Sequence, residues 1–188
     1  MTNKPIPLKR PTRQTGAALI TGLIFLVVLT MIGITAARMS TLEERMSGNM
    51  RDRSIAMQAA ELALRDAERD ISNSVTASAR DISGITDFSA DCGTSTGGTT
   101  VGLCYSGPGV ATTIISGNAF DAAIATAAYG DYTGAADIAG LSAQPRYAIE
   151  GIRKTPPGST EVFYYRITVR AQGVNPNTVV WLQEVFRP

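Results

Sequence analysis

From Gln14 to Ala37 no residue carries a charge, and the centre of the run reads GAALITGLIFLVVLTMIGITAA. About 20 helical residues at 1.5 Å each cross the hydrocarbon core of a bilayer, so this segment is long enough to span one. It exceeds the ~7–15 apolar residues of a cleaved secretory signal. Gly22 and Gly33 share a helix face, and small residues let helices approach closely in lipid. Beyond Arg38, apolar residues recur at Leu42, Met46, Met50, Met57, Ala60, Leu64, Ala67 and Ile71. Steps of three, four and seven trace one helical stripe. Residues 12–107 contain no proline to stop a helix. Gly48-Asn49 is a weak point, because glycine costs about 1 kcal/mol against alanine in a helix interior. The pattern predicts one helix from about Ala17 to about Ser78: a membrane-soluble half over 17–38, then an amphipathic half within 39–80.

The pattern changes after Ile82. Residues 81–145 are rich in Gly, Thr, Ala and Ser, and GTSTGGTTVG reads as loop. Within them AFDAAIATAAY, between the N-cap candidate Asn118 (with Asp121 three positions on) and Gly130, predicts a short helix at 119–129. Three strand signals follow over 146–188: Arg146–Arg153, Val162–Gln172 and Thr178–Phe186. The turns Pro156-Pro157-Gly158 and Asn175-Pro176-Asn177 separate them. In the middle strand Phe163, Tyr165, Ile167, Val169 and Ala171 share one face; Tyr164, Arg166, Thr168 and Arg170 share the other. Connections this short imply an antiparallel meander of about three or more strands. Its apolar face is expected to cover the helix at Met57, Leu64 and Ile71, giving an α+β fold.

Charge sharpens this division. The net +1 conceals +4 over residues 1–16, balance over 38–80, −6 over 81–145 and +3 over 146–188. Basic residues ahead of the apolar run keep the N-terminus cytoplasmic and put the rest outside. Outside is oxidising, so Cys92 and Cys104, the only cysteines, are expected to form one disulfide worth ~3 kcal/mol by the loop-entropy estimate. The chain has no histidine, which excludes Ser-His-Asp and Cys-His catalysis and the usual Cys/His zinc sites. Asp131 and Asp137 form no hydrolytic motif, and EF-hand spacing is absent. No enzyme, metal ligand or cofactor is expected, nor is nucleic acid as the main ligand.

The segment RQTG followed by AALITGLIFLVVLTMIG resembles the start of a type IV pilin. The stretch STLEERMSGNMRDRSIAMQAAELALRDAE is similar to PilX-type minor pilins. The resemblance covers about residues 10–72 and implies the type IV pilin-like fold, a long N-terminal helix packed on a small sheet. It implies that a prepilin peptidase removes leader 1–16 by cutting after Gly16, and that Ala17 becomes the methylated first residue. Major pilins usually open on phenylalanine and carry glutamate at the fifth mature position, where this chain has Ala17 and Thr21. That glutamate neutralises the amine of the subunit ahead, which a tip subunit lacks. Thr21 thus implies a place in the priming or tip complex of a type IV pilus, supporting adhesion or twitching motility. The alternative is a tip-type minor pseudopilin of a type II secretion system. The implied partners are other minor pilins and the major pilin through the helix, the peptidase, the inner-membrane assembly platform and a tip adhesin. The implied location is the inner membrane with a periplasmic head, then the pilus. The −6 and +3 segments are expected to meet within the head or between subunits, with Arg166 and Arg170 as subunit contacts.

Overall fold

The computed structural model describes residues 16–72, 80, 82–94, 98–105, 107, 120, 125–158 and 160–188. Residues 1–15, within the segment expected to be a leader, therefore lie outside the described residues. The chain divides into two compact units, Met1–Gly48 and Asn49–Pro188, at the glycine that weakens the helix pattern. Helix α1 (Ala17–Ile71) nevertheless stays helical through Gly48 and Asn49.

In the first unit α1 stands alone. An 18-residue window has a mean hydropathy of 2.7 and none of it is buried, so length and composition suit a membrane crossing. Its hydroxyls need no outside partner: Thr30 Oγ1 donates to Val27 O at 2.8 Å and Thr35 Oγ1 to Ile32 O at 2.9 Å. Lipid offers no hydrogen bonds, so polar groups in a crossing helix must be satisfied internally.

The second unit, the head, packs α1 from Asn49 onward against a mixed five-stranded sheet. Its strands are β1 (Leu103–Cys104), β2 (Ala127–Ala128), β3 (Arg146–Lys154), β4 (Val162–Gln172) and β5 (Val179–Phe186). The order is β1-β3-β4-β5, with β1 parallel to β3 and β2 pairing antiparallel with β3 beside it. The three long strands form the expected meander, with Tyr147 opposite Val169 and Val169 opposite Leu182. Tyr165, Ile167, Val169 and Ala171 are buried on one face, so the period-2 alternation holds.

The helix face differs from expectation. The buried positions are Ala56, Ala59, Ala60, Ala63, Ala67 and Ile71, together with Asp66 and Asp70. Of the residues expected against the sheet, Ile71 is buried, Leu64 is half-buried and Met57 is 43 % exposed. The contact stripe is rotated by about one residue because the sheet presents Tyr147, Ile149, Tyr165, Ile167 and Val169. Facing such bulk, a close-packed core takes small side chains on the helix.

Two boundaries also move. α1 ends at Ile71, followed by a turn in which Ser72 N–H donates to Glu68 O at 2.9 Å; residues 73–79 lie outside the described residues. Of the helix expected at 119–129, residues 119 and 121–124 lie outside the described residues, as do the capping candidates Asn118 and Asp121. Ala127 and Ala128 are strand β2, opposite Tyr147 and Arg146 of β3, so tertiary pairing overrides alanine's helix propensity there. In GTSTGGTTVG a 3-10 turn forms at Gly98–Thr100, just ahead of β1.

Candidate assembly surface

Most of the exposed large apolar side chains among the described residues belong to α1. Leu19, Leu23, Phe25, Leu26, Leu29 and Met31 are each at least 60 % exposed. A contiguous apolar surface of this extent marks a membrane or protein partner. α1 begins at Ala17, directly after Gly16. Thr21 lies one turn in, and its Oγ1 donates to Ala18 O at 3.0 Å and Ala17 O at 3.1 Å. The fifth position of this helix thus carries a neutral hydroxyl satisfied within its own first turn.

The head is held to α1 by two buried carboxylates. Asp70 accepts from two nitrogens of the Arg80 guanidinium, Nε (2.9 and 3.0 Å to its two oxygens) and Nη2, with both side chains 2 % exposed. Arg80 Nη1 also donates to Thr99 O at 3.1 Å and Val101 O at 2.7 Å. Its guanidinium lies 3.5 Å from the centre of the Tyr132 ring. Tyr147 Oη donates to Asp70 at 3.1 Å, and Tyr132 Oη donates to Gly98 O at 2.7 Å. One turn earlier, Asp66 accepts Gly130 N–H at 2.9 Å and the Thr133 hydroxyl. A buried charge is costly unless paired and hydrogen-bonded; Asp70 has both kinds of partner, and Asp66 is satisfied by hydrogen bonds. Burial, reinforced by Asp70, pushes the Tyr147 phenol far above its ordinary range. Burial also raises Tyr132, with Arg80 opposing it.

The carbonyls that reach Arg80 and Tyr132 lie between the two cysteines. Cys92 and Cys104 are joined in a buried disulfide with Cα atoms 4.2 Å apart. Gly102 N–H donates to Cys92 O at 2.9 Å inside the same loop. The disulfide therefore anchors the loop to β1, and Arg80 holds the loop's carbonyls against α1. A third link comes from Asp52, whose Oδ1 accepts Val174 N–H at 2.6 Å in the turn between β4 and β5. A Cβ at Gly173 would collide with Asp52, so glycine permits this approach. Bonds from Thr178, Val174 and Asn175 hold the Asp52 carboxyl below its usual value.

Family models account for most of the chain. The PilX N-terminal model matches residues 15–65, and the model for the type IV pilus assembly protein PilX C-terminal region matches residues 88–188. The chain belongs to the PilX family. It is a minor pilin of type IV pilus assembly, with an α+β, pilin-like fold. No curated protein and no solved structure matches it.

In this PilX-family head the residues expected at subunit contacts are engaged internally. Arg166 lies opposite Glu150 on β3 and donates to it through Nε at 2.6 Å and through Nη2. Arg170 sits 6.0 Å from the ring of Trp181, its cross-strand partner, and that ring packs edge-on against Phe120 at 4.8 Å. Arg146, at the start of the basic segment, is also engaged inside the head. Its Nε donates to Thr126 Oγ1 at 2.8 Å, and burial lowers its proton affinity, with Asp131 opposing. Asp66, Asp70 and Arg80 are not among the residues expected from the sequence. Their signal was spacing: both aspartates fall on the same helix face as Ala59, Ala63 and Ala67.

Proposed function

We propose that this PilX-family minor pilin acts in the complex that primes pilus assembly and remains near the fibre tip. The observation that carries the reading is Thr21. A carboxylate in lipid is costly unless paired. A subunit with another ahead of it gains a pairing partner for that carboxylate, and a subunit at the tip does not. The Thr21 hydroxyl, closed on Ala17 O and Ala18 O, offers no charge to a subunit ahead.

In this reading the peptidase cuts after Gly16 and methylates Ala17, and the apolar half of α1 holds the protein in the inner membrane with the head in the periplasm. On assembly the same surface packs against the helices of other minor pilins and the major pilin, under the inner-membrane platform, with a tip adhesin as a further partner. Deleting the gene and counting surface pili by electron microscopy tests the priming role: few or no pili is the expected result, and unchanged numbers of functional pili would sink it. Sequencing the N-terminus of the mature protein tests the processing: methyl-Ala17 is expected, and a start near Ala37 would overturn it.

A further inference from the structure

β5 is the last strand in the order β1-β3-β4-β5, and among the described residues it pairs with β4 alone. One row of its backbone N–H and C=O groups therefore faces away from the sheet, a template for another strand. Edges are blunted by lysine or proline, by a bulge, or by an inward-pointing charge, of which β5 has one, Glu184, near its end. β5 reads VVWLQEVF, with neither lysine nor proline, and pairs with β4 without a bulge from Val179 opposite Gln172 to Phe186 opposite Tyr165.

Beside this strand, within the head, runs a groove of 710 Å³ lined by Met50, Met57, Val180 and Leu182, with Arg53 and Glu61 also in its wall. Glu61 is shared with an adjoining 330 Å³ pocket that also holds Arg65, Glu68 and Glu184. The channel is thus apolar along one stretch, and three carboxylates against one guanidinium line the next. Glu68 on α1 and Glu184 on β5 line the same pocket, and burial together with this like-charged neighbour raises the Glu184 carboxyl.

Val180, Leu182 and Glu184 alternate along β5 on its helix-facing side. A strand added to the free edge would lie about 4.8 Å away, and its alternate residues would continue that row over the groove and then the pocket. We propose that the β5 edge and this channel together dock an extended segment of a partner chain. That segment has apolar residues at alternate positions and a Lys or Arg at the end facing Glu61, Glu68 and Glu184. A helix could not satisfy the open backbone row. A second copy's β5 carries no cation between Val179 and Phe186 and would bring another Glu184. The acidic end also disfavours a nucleic acid. The proposal stands whether or not the protein sits at the fibre tip.

The test uses the full chain in detergent micelles and two labelled peptides, an alternating Val/Thr strand ending in lysine and the same strand ending in glutamate. The lysine peptide is expected to bind at least tenfold more tightly by fluorescence anisotropy and to slow amide exchange across Val179–Phe186. Met57→Arg should weaken it about tenfold by filling the groove. Glu61→Lys leaves two carboxylates against two cations and should abolish the preference between the peptides. Both side chains are exposed, so neither change disturbs the core. Equal binding of the two peptides, unchanged exchange in β5, or parent-like binding by both variants would overturn the proposal. So would concentration-dependent protection of β5 without peptide, which would make the occupant a second copy.

Discussion

Arg80 is the residue on which the head's polar core turns. Its charge is compensated by Asp70, and its remaining donors by Thr99 O and Val101 O. Asp70→Ala would leave a guanidinium buried without its carboxylate. Breaking a buried pair costs about 3–5 kcal/mol, so urea unfolding of the full chain in micelles should show a loss of that order. Pairing Asp70→Leu with Arg80→Met should recover most of it, because apolar replacement of both partners avoids the stranded charge. If the double variant is as unstable as the single one, the network has some role besides compensating charge.

Titration at the seam gives a separate residue-scale result. Burial and the neighbouring Glu68 carboxylate raise Glu184 above its ordinary 4.5, with Arg65 opposing. The folded state then holds the proton more tightly than the unfolded chain, so this group lowers stability as pH rises from 4.5 through the folded value. Glu184→Gln should make the head more stable at pH 7, by about 1 kcal/mol or less for so exposed a group, and the gain should vanish below pH 4.5. Asp52 has the opposite sign. Its depressed carboxyl stabilises the fold above its ordinary 3.8 and loses that contribution as pH falls through the folded value. Asp52→Asn should therefore flatten only the acid limb of a pH–stability curve.

At the scale of elements, the three long strands were legible because each runs eight to eleven residues with its own alternation and turns. The helix was legible by period, but its exact face was not. Large apolar side chains dominate a pattern read by eye, whereas packing against a sheet rich in tyrosine and isoleucine selects alanines. β1 and β2, two residues each, were illegible because they exist only through pairing with β3. The alanine face yields a contrast. Ala63→Leu, at a position with no exposed surface, should overpack the core and cost about 1–3 kcal/mol. Met57→Ala, at a 43 % exposed position, should change stability by about 0.5 kcal/mol or less. Reversed magnitudes in thermal unfolding would restore the stripe through Met57.

At the scale of the whole molecule, charge and hydropathy put a boundary in the helix at 38/39, whereas the compact units divide at Gly48. What composition could not show was that the head's own neutralisation is local. Arg166 answers Glu150 and Arg80 answers Asp70, instead of one charged segment answering another. Stability of the head then depends on contacts within Asn49–Pro188, and membrane retention on the helix before it. Leu26 lies near the middle of the uncharged run and is 63 % exposed. An arginine at the centre of a crossing helix costs about 2.5–3.5 kcal/mol. Leu26→Arg should therefore lower partitioning into the membrane fraction by about 100-fold, since each 1.4 kcal/mol is about tenfold. The same variant should leave the unfolding midpoint of the head unchanged, followed by near-UV circular dichroism of Trp181 and the tyrosines. A shifted midpoint would mean that the apolar half of α1 contributes to folding the head, and the division at Gly48 would then not separate two energetic units.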